Sequence, residues 1–167
     1  MMSSTAINRR VDQKLLCAES VLAAAGGDAA ARTALVEAAT FHLHVAYRAY
    51  LRELLDQVLM NTGADTAVQA AAVLLAQHLC SADIDELAKM ERSGEWPAQL
   101  LAAYAAVAGT EMASATVANT GTVGNSAVNT GIVLRDITAQ VDADLCAGWL
   151  RQFRSLVLRQ REHAREW

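Results

Sequence analysis

The side chains most suited to recognition chemistry lie along one predicted helix, over residues 29–60. At about 100° per residue, its polar residues fall on the side opposite an apolar stripe, and an aromatic ring lies among them. One interpretation is a recognition patch with an exposed ring; the alternative is a solvated face or a seam against another helix. The candidate interaction residues are Phe41, His44, Arg48 and Arg52, with Glu37 and Asp56 beside them.

A second candidate surface is formed by arginines near the C-terminus. Arg151, Arg154, Arg161 and Arg165 fall within roughly 80° of one another on a helix, whereas Arg159 points elsewhere. Such a stripe suits phosphates or an acidic partner. The alternative is a helix C-terminus favoured by positive charge, with arginine stems covering apolar surface.

A third possibility is a small-molecule pocket inside the helical bundle, built near His42, Tyr47 and Tyr50. His42 lies at the edge of the apolar stripe. That position favours a hydrogen-bonded core histidine over a catalytic one.

Motifs for catalysis and for metal or nucleotide binding are missing. The chain has no Glu-x-x-His, His-Glu-x-x-His, Cys-x-x-Cys, phosphate loop or Gly-x-Ser-x-Gly. His42 and His44 are two positions apart, about 200° around a helix, so they do not share one metal ion. We therefore expect no catalytic residue, no metal and no cofactor.

Composition indicates an all-α protein. Of 167 residues 35 are alanine, and Pro97 is the single proline. Alanine is the best helix former, and the β-branched and aromatic enrichment of strands is missing. A net charge of −4 argues against general binding of polyanions.

The helical elements are expected to form one domain, residues 1–167, with an antiparallel four-helix-type bundle, one or two short extra helices and one long loop. Helices are predicted at about 4–25, 29–60, 66–80, 82–91 and 96–113, and from 138–142 to the C-terminus. Asp28, Ser81 or Asp83, and Pro97 mark helix starts. The helix at 66–80 is almost wholly apolar and is expected to be central. Gly148 is expected to allow a close helix contact.

Residues 116–137 are predicted to be a flexible low-complexity loop within this domain. They contain Asn-Thr-Gly twice, at 119–121 and 129–131, and show no helical period. A short β-hairpin is the alternative.

Three cysteines, Cys17, Cys80 and Cys146, lie in apolar patterns that suggest reduced core thiols. No signal-peptide pattern is present, and the apolar stretches fall short of the roughly 20 residues that span a bilayer. We therefore expect a cytoplasmic protein without membrane contact.

Two segments carry a family resemblance: residues 38–47, AATFHLHVAY, and the ending from Trp149 through Glu162. Together they resemble a small family of uncharacterised gammaproteobacterial proteins found in pseudomonads, over nearly the whole chain. That family implies no activity and no catalytic residue. The helical order is also similar to that of HEPN bundles, which include RNases. Their RNase motif, Arg followed by four to six residues and His, is absent, since Arg159 and His163 are separated by three.

The expected function is a non-enzymatic interaction module that forms a homodimer or binds another protein. The alternative is a nucleic-acid-binding or HEPN/RNase-like bundle that uses the C-terminal arginines.

Overall fold

The computed structural model describes residues 4–60, 62–109 and 141–165. In those residues the chain forms six α-helices and no strand, which confirms the all-α prediction. The helices are α1 (Ser4–Ala23), α2 (Ala29–Gln57), α3 (Ala67–Ala76), α4 (Ala82–Arg92), α5 (Trp96–Val107) and α6 (Ala143–Arg165). The predicted loop at 116–137, with its alternative hairpin, lies outside the described residues.

The helix starts follow signals that are local in the sequence. The Asp28 carboxylate accepts a hydrogen bond of 2.8 Å from the Ala31 N–H at the start of α2. The Ser81 hydroxyl accepts one of 3.4 Å from the Ile84 N–H in α4. Pro97 occupies the first turn of α5, where its missing N–H costs no helical hydrogen bond. These three predicted starts are confirmed.

Helix α2 forms the centre of the fold and packs against each of the other five helices. The apolar stripe predicted on this helix is buried except at its last residue, Val58, which is half-buried; its other residues are Val36, Ala39, Leu43, Tyr47, Tyr50 and Leu54. Helix α6 adds Phe153, whose ring centroid lies 5.0 Å from that of Trp96, 5.8 Å from Tyr50 and 6.1 Å from Tyr47. These aromatic contacts join α2, α5 and α6.

The first and last described helices run antiparallel along a shared seam. Glu19 of α1 pairs with Arg154 of α6 at 2.8 Å, and Asp12 pairs with Arg161 at 2.8 Å. Because the later residue of α1 meets the earlier residue of α6, the two helices run in opposite directions.

The prediction that the apolar helix at 66–80 is central was wrong. Helix α3 ends at Ala76, only Ala67, Ala70 and Leu74 are buried, and Leu75 is 75% exposed. Many of its apolar residues are alanines, which gain little by burial, and the larger side chains of α2 fill the centre instead. The backbone turns at His78, whose φ is 56°, and the Leu79 N–H donates to the Leu74 carbonyl. This is the left-handed turn that often ends a helix.

The expectation of core thiols is confirmed for Cys146 but was wrong for Cys80, and the expectation for Gly148 was wrong. Cys80 is exposed because it lies beyond the end of α3, whereas Cys146 is buried and Cys17 is half-buried. A Cβ added to Gly148 would meet no atom within 4 Å, so this glycine is not the site of a close helix contact.

No helix among the described residues is both long enough and apolar enough to cross a membrane.

Candidate functional site

A groove on the exposed side of α2 brings together all four interaction residues predicted on that helix. Its volume is about 420 Å³, and we call it the α2 groove. Helix α1 contributes Arg10, α5 contributes Tyr104, and the segment between α2 and α3 contributes residues 62–64. Its walls along α2 are Phe41, His44, Val45, Arg48, Ala49, Arg52 and Leu55.

Three rings form the aromatic surface of the groove. The His44 imidazole stacks on the Tyr104 ring, with centroids 3.5 Å apart and planes 9° from parallel. The Phe41 ring lies 6.4 Å from Tyr104 and is 46% exposed. Of the alternatives given for this face, a seam against another helix fits His44 and a solvated face does not, because Tyr104 of α5 covers His44 and leaves it 7% exposed.

The burial of His44 decides its charge. Loss of hydration and, to a lesser extent, the nearby Arg48 lower its pKa, Asp65 opposes both, and the resulting pKa is about 4. The ring is therefore neutral at pH 7. It supplies the groove with a flat, uncharged surface and no cation.

We expect His44 to make the protein acid-sensitive between pH 6.5 and pH 4. In this range the unfolded chain binds a proton at His44 that the folded chain does not, so stability falls as the pH falls. The free energy of unfolding should drop by about 2 kcal/mol more in the wild type than in His44→Phe, which keeps a stacked ring without a titrating group. Urea unfolding of both proteins at pH 7 and pH 4.5 measures the difference. Equal losses in the two proteins would contradict the assignment.

The cations of the α2 groove differ in their pairing. Arg48 forms an ion pair with Asp65, and both side chains are more than half exposed. Arg10 and Arg52 are exposed and have no ion-pair partner within the described part of the chain. The groove therefore offers two unpaired guanidinium groups beside an exposed ring. This combination suits a carboxylate or another anion carried on an apolar surface.

The C-terminal arginines do not form the open stripe that their spacing predicts. Arg154 donates two hydrogen bonds of 2.8 Å to Glu19. Arg161 donates two of 2.7 Å to Glu53, which is only 3% exposed. Arg151 and Arg165 remain exposed, and Arg159 turns away to pair with Glu86 on α4. Half of the stripe is therefore neutralised by carboxylates of the same chain.

Two of the three residues proposed for an internal pocket, Tyr47 and Tyr50, are buried in the core. The Tyr47 hydroxyl donates to Glu91, and the Tyr50 hydroxyl donates to Gln160 at 2.5 Å. Neither ring lines the α2 groove. The Nδ1 atom of His42 is buried without a hydrogen-bond partner in the described residues. Burial also lowers the pKa of His42.

Sequence reasoning missed Arg10, Tyr104 and Glu53. Arg10 and Tyr104 reach the groove only through the packing of α1 and α5, and no local pattern reveals that. Glu53 did carry a signal, since it lies three residues after Tyr50 on the buried face of α2. An acidic residue at such a position requires a cation from another element.

The described residues offer few other groups suited to metal binding, catalysis or ligand binding. No group of three His, Cys, Asp or Glu side chains there is placed to hold a metal ion. Burial raises the pKa of the Cys146 thiol, which keeps it protonated. A larger cavity, of about 590 Å³, lies where the start of α2 meets the end of α5. Its one arginine, Arg32, bonds to the Gly27 carbonyl, and no aromatic ring lines it.

The sequence of the chain matches one known protein family. Residues 2–167 match the model of a family described as "Family of unknown function (DUF6586)". No curated protein and no solved structure gives a significant match.

Proposed function

Because the chain belongs to that family of unknown function, its role must be inferred from its own side chains, and we propose that it is a non-enzymatic, cytoplasmic protein-interaction module. The observation that carries the proposal is the α2 groove. Exposed Phe41 meets Arg10 and Arg52 there, and neither arginine forms an ion pair within the residues that the structure describes. Aromatic and arginine side chains are the residues most enriched where proteins bind each other tightly.

The rigidity of the groove supports the same proposal. Its aromatic surface is formed on two packed helices, α2 and α5, and the stack of His44 on Tyr104 holds these two rings in place relative to one another. A ring held in place before binding loses little rotamer entropy when a partner arrives. The three free cysteines agree with a reducing compartment.

The nucleic-acid alternative has less support. It relies on Arg151, Arg154, Arg161 and Arg165, and carboxylates of α1 and α2 already pair with two of them. An arginine held by a carboxylate has to give up that pair before it binds a phosphate, which lowers its contribution to affinity.

Site-specific photocrosslinking in living cells tests the proposal. A benzoylphenylalanine at position 41 should give protein adducts in cells that naturally produce the chain. The same probe at Leu75, which is 75% exposed on α3, should not. Arg52→Glu in the position-41 protein should reduce the adducts. The proposal fails if position 41 gives no protein adduct, or gives the same adducts as position 75. Nuclease-sensitive adducts would favour the nucleic-acid alternative instead.

A further inference from the structure

We infer that the partner in the α2 groove is a second copy of this chain, with the two α2 helices packed antiparallel across a two-fold axis. This inference rests on the proposed function and specifies its partner. It starts from a row of side chains on α2, the α2 stripe, which consists of Glu37, Phe41, Val45, Arg48 and Arg52. On a helix these five positions fall within about 80° of one another. All except the half-buried Val45 are exposed.

The order of side-chain types along the α2 stripe is self-complementary. In a two-fold interface, residue i of one copy meets residue j of the other, and the reverse contact also forms. With the axis between His44 and Val45, Phe41 and Arg48 lie equally far from it, about 5 Å along the helix. Glu37 and Arg52 also lie equally far from it, about 11 Å. Glu37 therefore faces Arg52 of the partner subunit, and Phe41 faces Arg48 of the partner subunit.

Each of these contacts is chemically favourable and occurs twice. A carboxylate meets a guanidinium at the ends of the stripe, and a ring meets a guanidinium nearer the axis. Arg48 already pairs with Asp65 in its own chain. A guanidinium is planar and carries five N–H donors, so an edge can hold a carboxylate while the face stacks on a ring.

The charges also select the direction of packing. If the two helices ran parallel and in register, Arg48 and Arg52 would each face their own copies, and so would Glu37. Like charges placed opposite each other across an interface oppose association. Arg52 has no ion-pair partner among the described residues of its own chain, and in this dimer a carboxylate of the second chain provides one.

Charge reversal followed by a charge swap tests the inference in the purified full-length chain. Sedimentation equilibrium should show a wild-type dimer. Arg52→Glu and Glu37→Arg should each weaken the dimer by at least about tenfold, because each places like charges opposite each other twice. The double variant should return to within about threefold of the wild-type Kd, because both pairs re-form with opposite polarity. Arg151→Glu is the matched control: it makes the same charge change at an exposed arginine of α6, and it should leave the Kd unchanged.

Three results would overturn the inference: a wild-type monomer at about 0.1 mM, single variants that dimerise as well as the wild type, or a double variant that is not rescued. Circular dichroism of each variant shows whether it is folded, and the rescue itself excludes loss of folding as the cause. The photocrosslinking experiment separates this inference from the proposed function. Adducts from position 41 with a different protein, together with a monomeric purified chain, would keep the interaction module and remove the homodimer.

Discussion

Replacing Arg161 by alanine is expected to lower the free energy of unfolding by about 3–5 kcal/mol, because the change leaves a buried carboxylate without its cation. Glu53 is 3% exposed, and both of its oxygens accept hydrogen bonds of 2.7 Å from the guanidinium of Arg161. The same guanidinium pairs with Asp12 on α1 at 2.8 Å. One side chain of α6 therefore holds both α1 and α2. Urea unfolding followed by circular dichroism measures the loss.

Arg154→Ala is the matched control on the same helix. Arg154 also forms a bidentate ion pair, but its partner Glu19 is exposed. Exposed pairs contribute about 0–1 kcal/mol, so this variant should remain close to the wild type. Replacing Glu53 by leucine and Arg161 by methionine together should recover most of the loss, because the double change removes the buried charge along with its partner. Equal destabilisation by Arg161→Ala and Arg154→Ala would contradict the assignment.

Glu91→Ala is expected to lower the free energy of unfolding by about 3–4 kcal/mol and to release the start of α3. The Glu91 carboxylate, on α4, accepts hydrogen bonds of 2.8 Å from the Ala67 and Val68 N–H groups and another from the Tyr47 hydroxyl. Alanine leaves all three donors without an acceptor. It also removes a negative charge from the positive end of the α3 dipole. Hydrogen exchange should show amides of α3 losing protection before those of α2.

Two further variants define what Glu91 contributes. Tyr47→Phe removes one of the three hydrogen bonds and should cost about 1 kcal/mol, without faster exchange in α3. Glu95→Ala is the control for a lost carboxylate in the same region, because Glu95 is exposed and its carboxylate bonds to the Ser93 hydroxyl. It should have little effect. If Glu91→Ala left α3 as protected as in the wild type, Glu91 would not anchor that helix.

Much of the fold was predictable because its determinants are local. The caps at Asp28 and Ser81, the proline at the start of α5 and the core stripe of α2 are all readable from spacing and residue type. The extent to which α3 is buried was not predictable, because a run of alanine, valine and leucine without helical periodicity does not show which side of the helix faces the core. The burial of α3 depends instead on which side chains fill the centre of the fold, and the aromatic side chains of α2 and α6 fill it.

The candidate site was predictable in part for the same reason. Phe41, His44, Arg48 and Arg52 share one helix, so their common face follows from helical geometry. Two other residues of the groove come from different helices. Tyr104 of α5 covers His44 and so keeps it uncharged, and Arg10 of α1 adds a cation. The pairing of Arg161 with Glu53, 108 positions earlier in the chain, likewise depends on tertiary packing.

The contacts of α6 with the earlier helices have a consequence for the order in which the helices pack while the chain is synthesised. Domains generally fold as units, and the N-terminal part of a chain emerges first. Here the Phe153 ring and the cation for Glu53 both belong to α6, at the end of the described chain. A nascent chain that ends before residue 143 would have α1 and α2 with an open aromatic core and an unpaired buried acid. Its native contacts at this seam are long-range, and such contacts form slowly. We therefore expect the aromatic contacts around Phe153 and the ion pair of Glu53 to form only after α6 has been made.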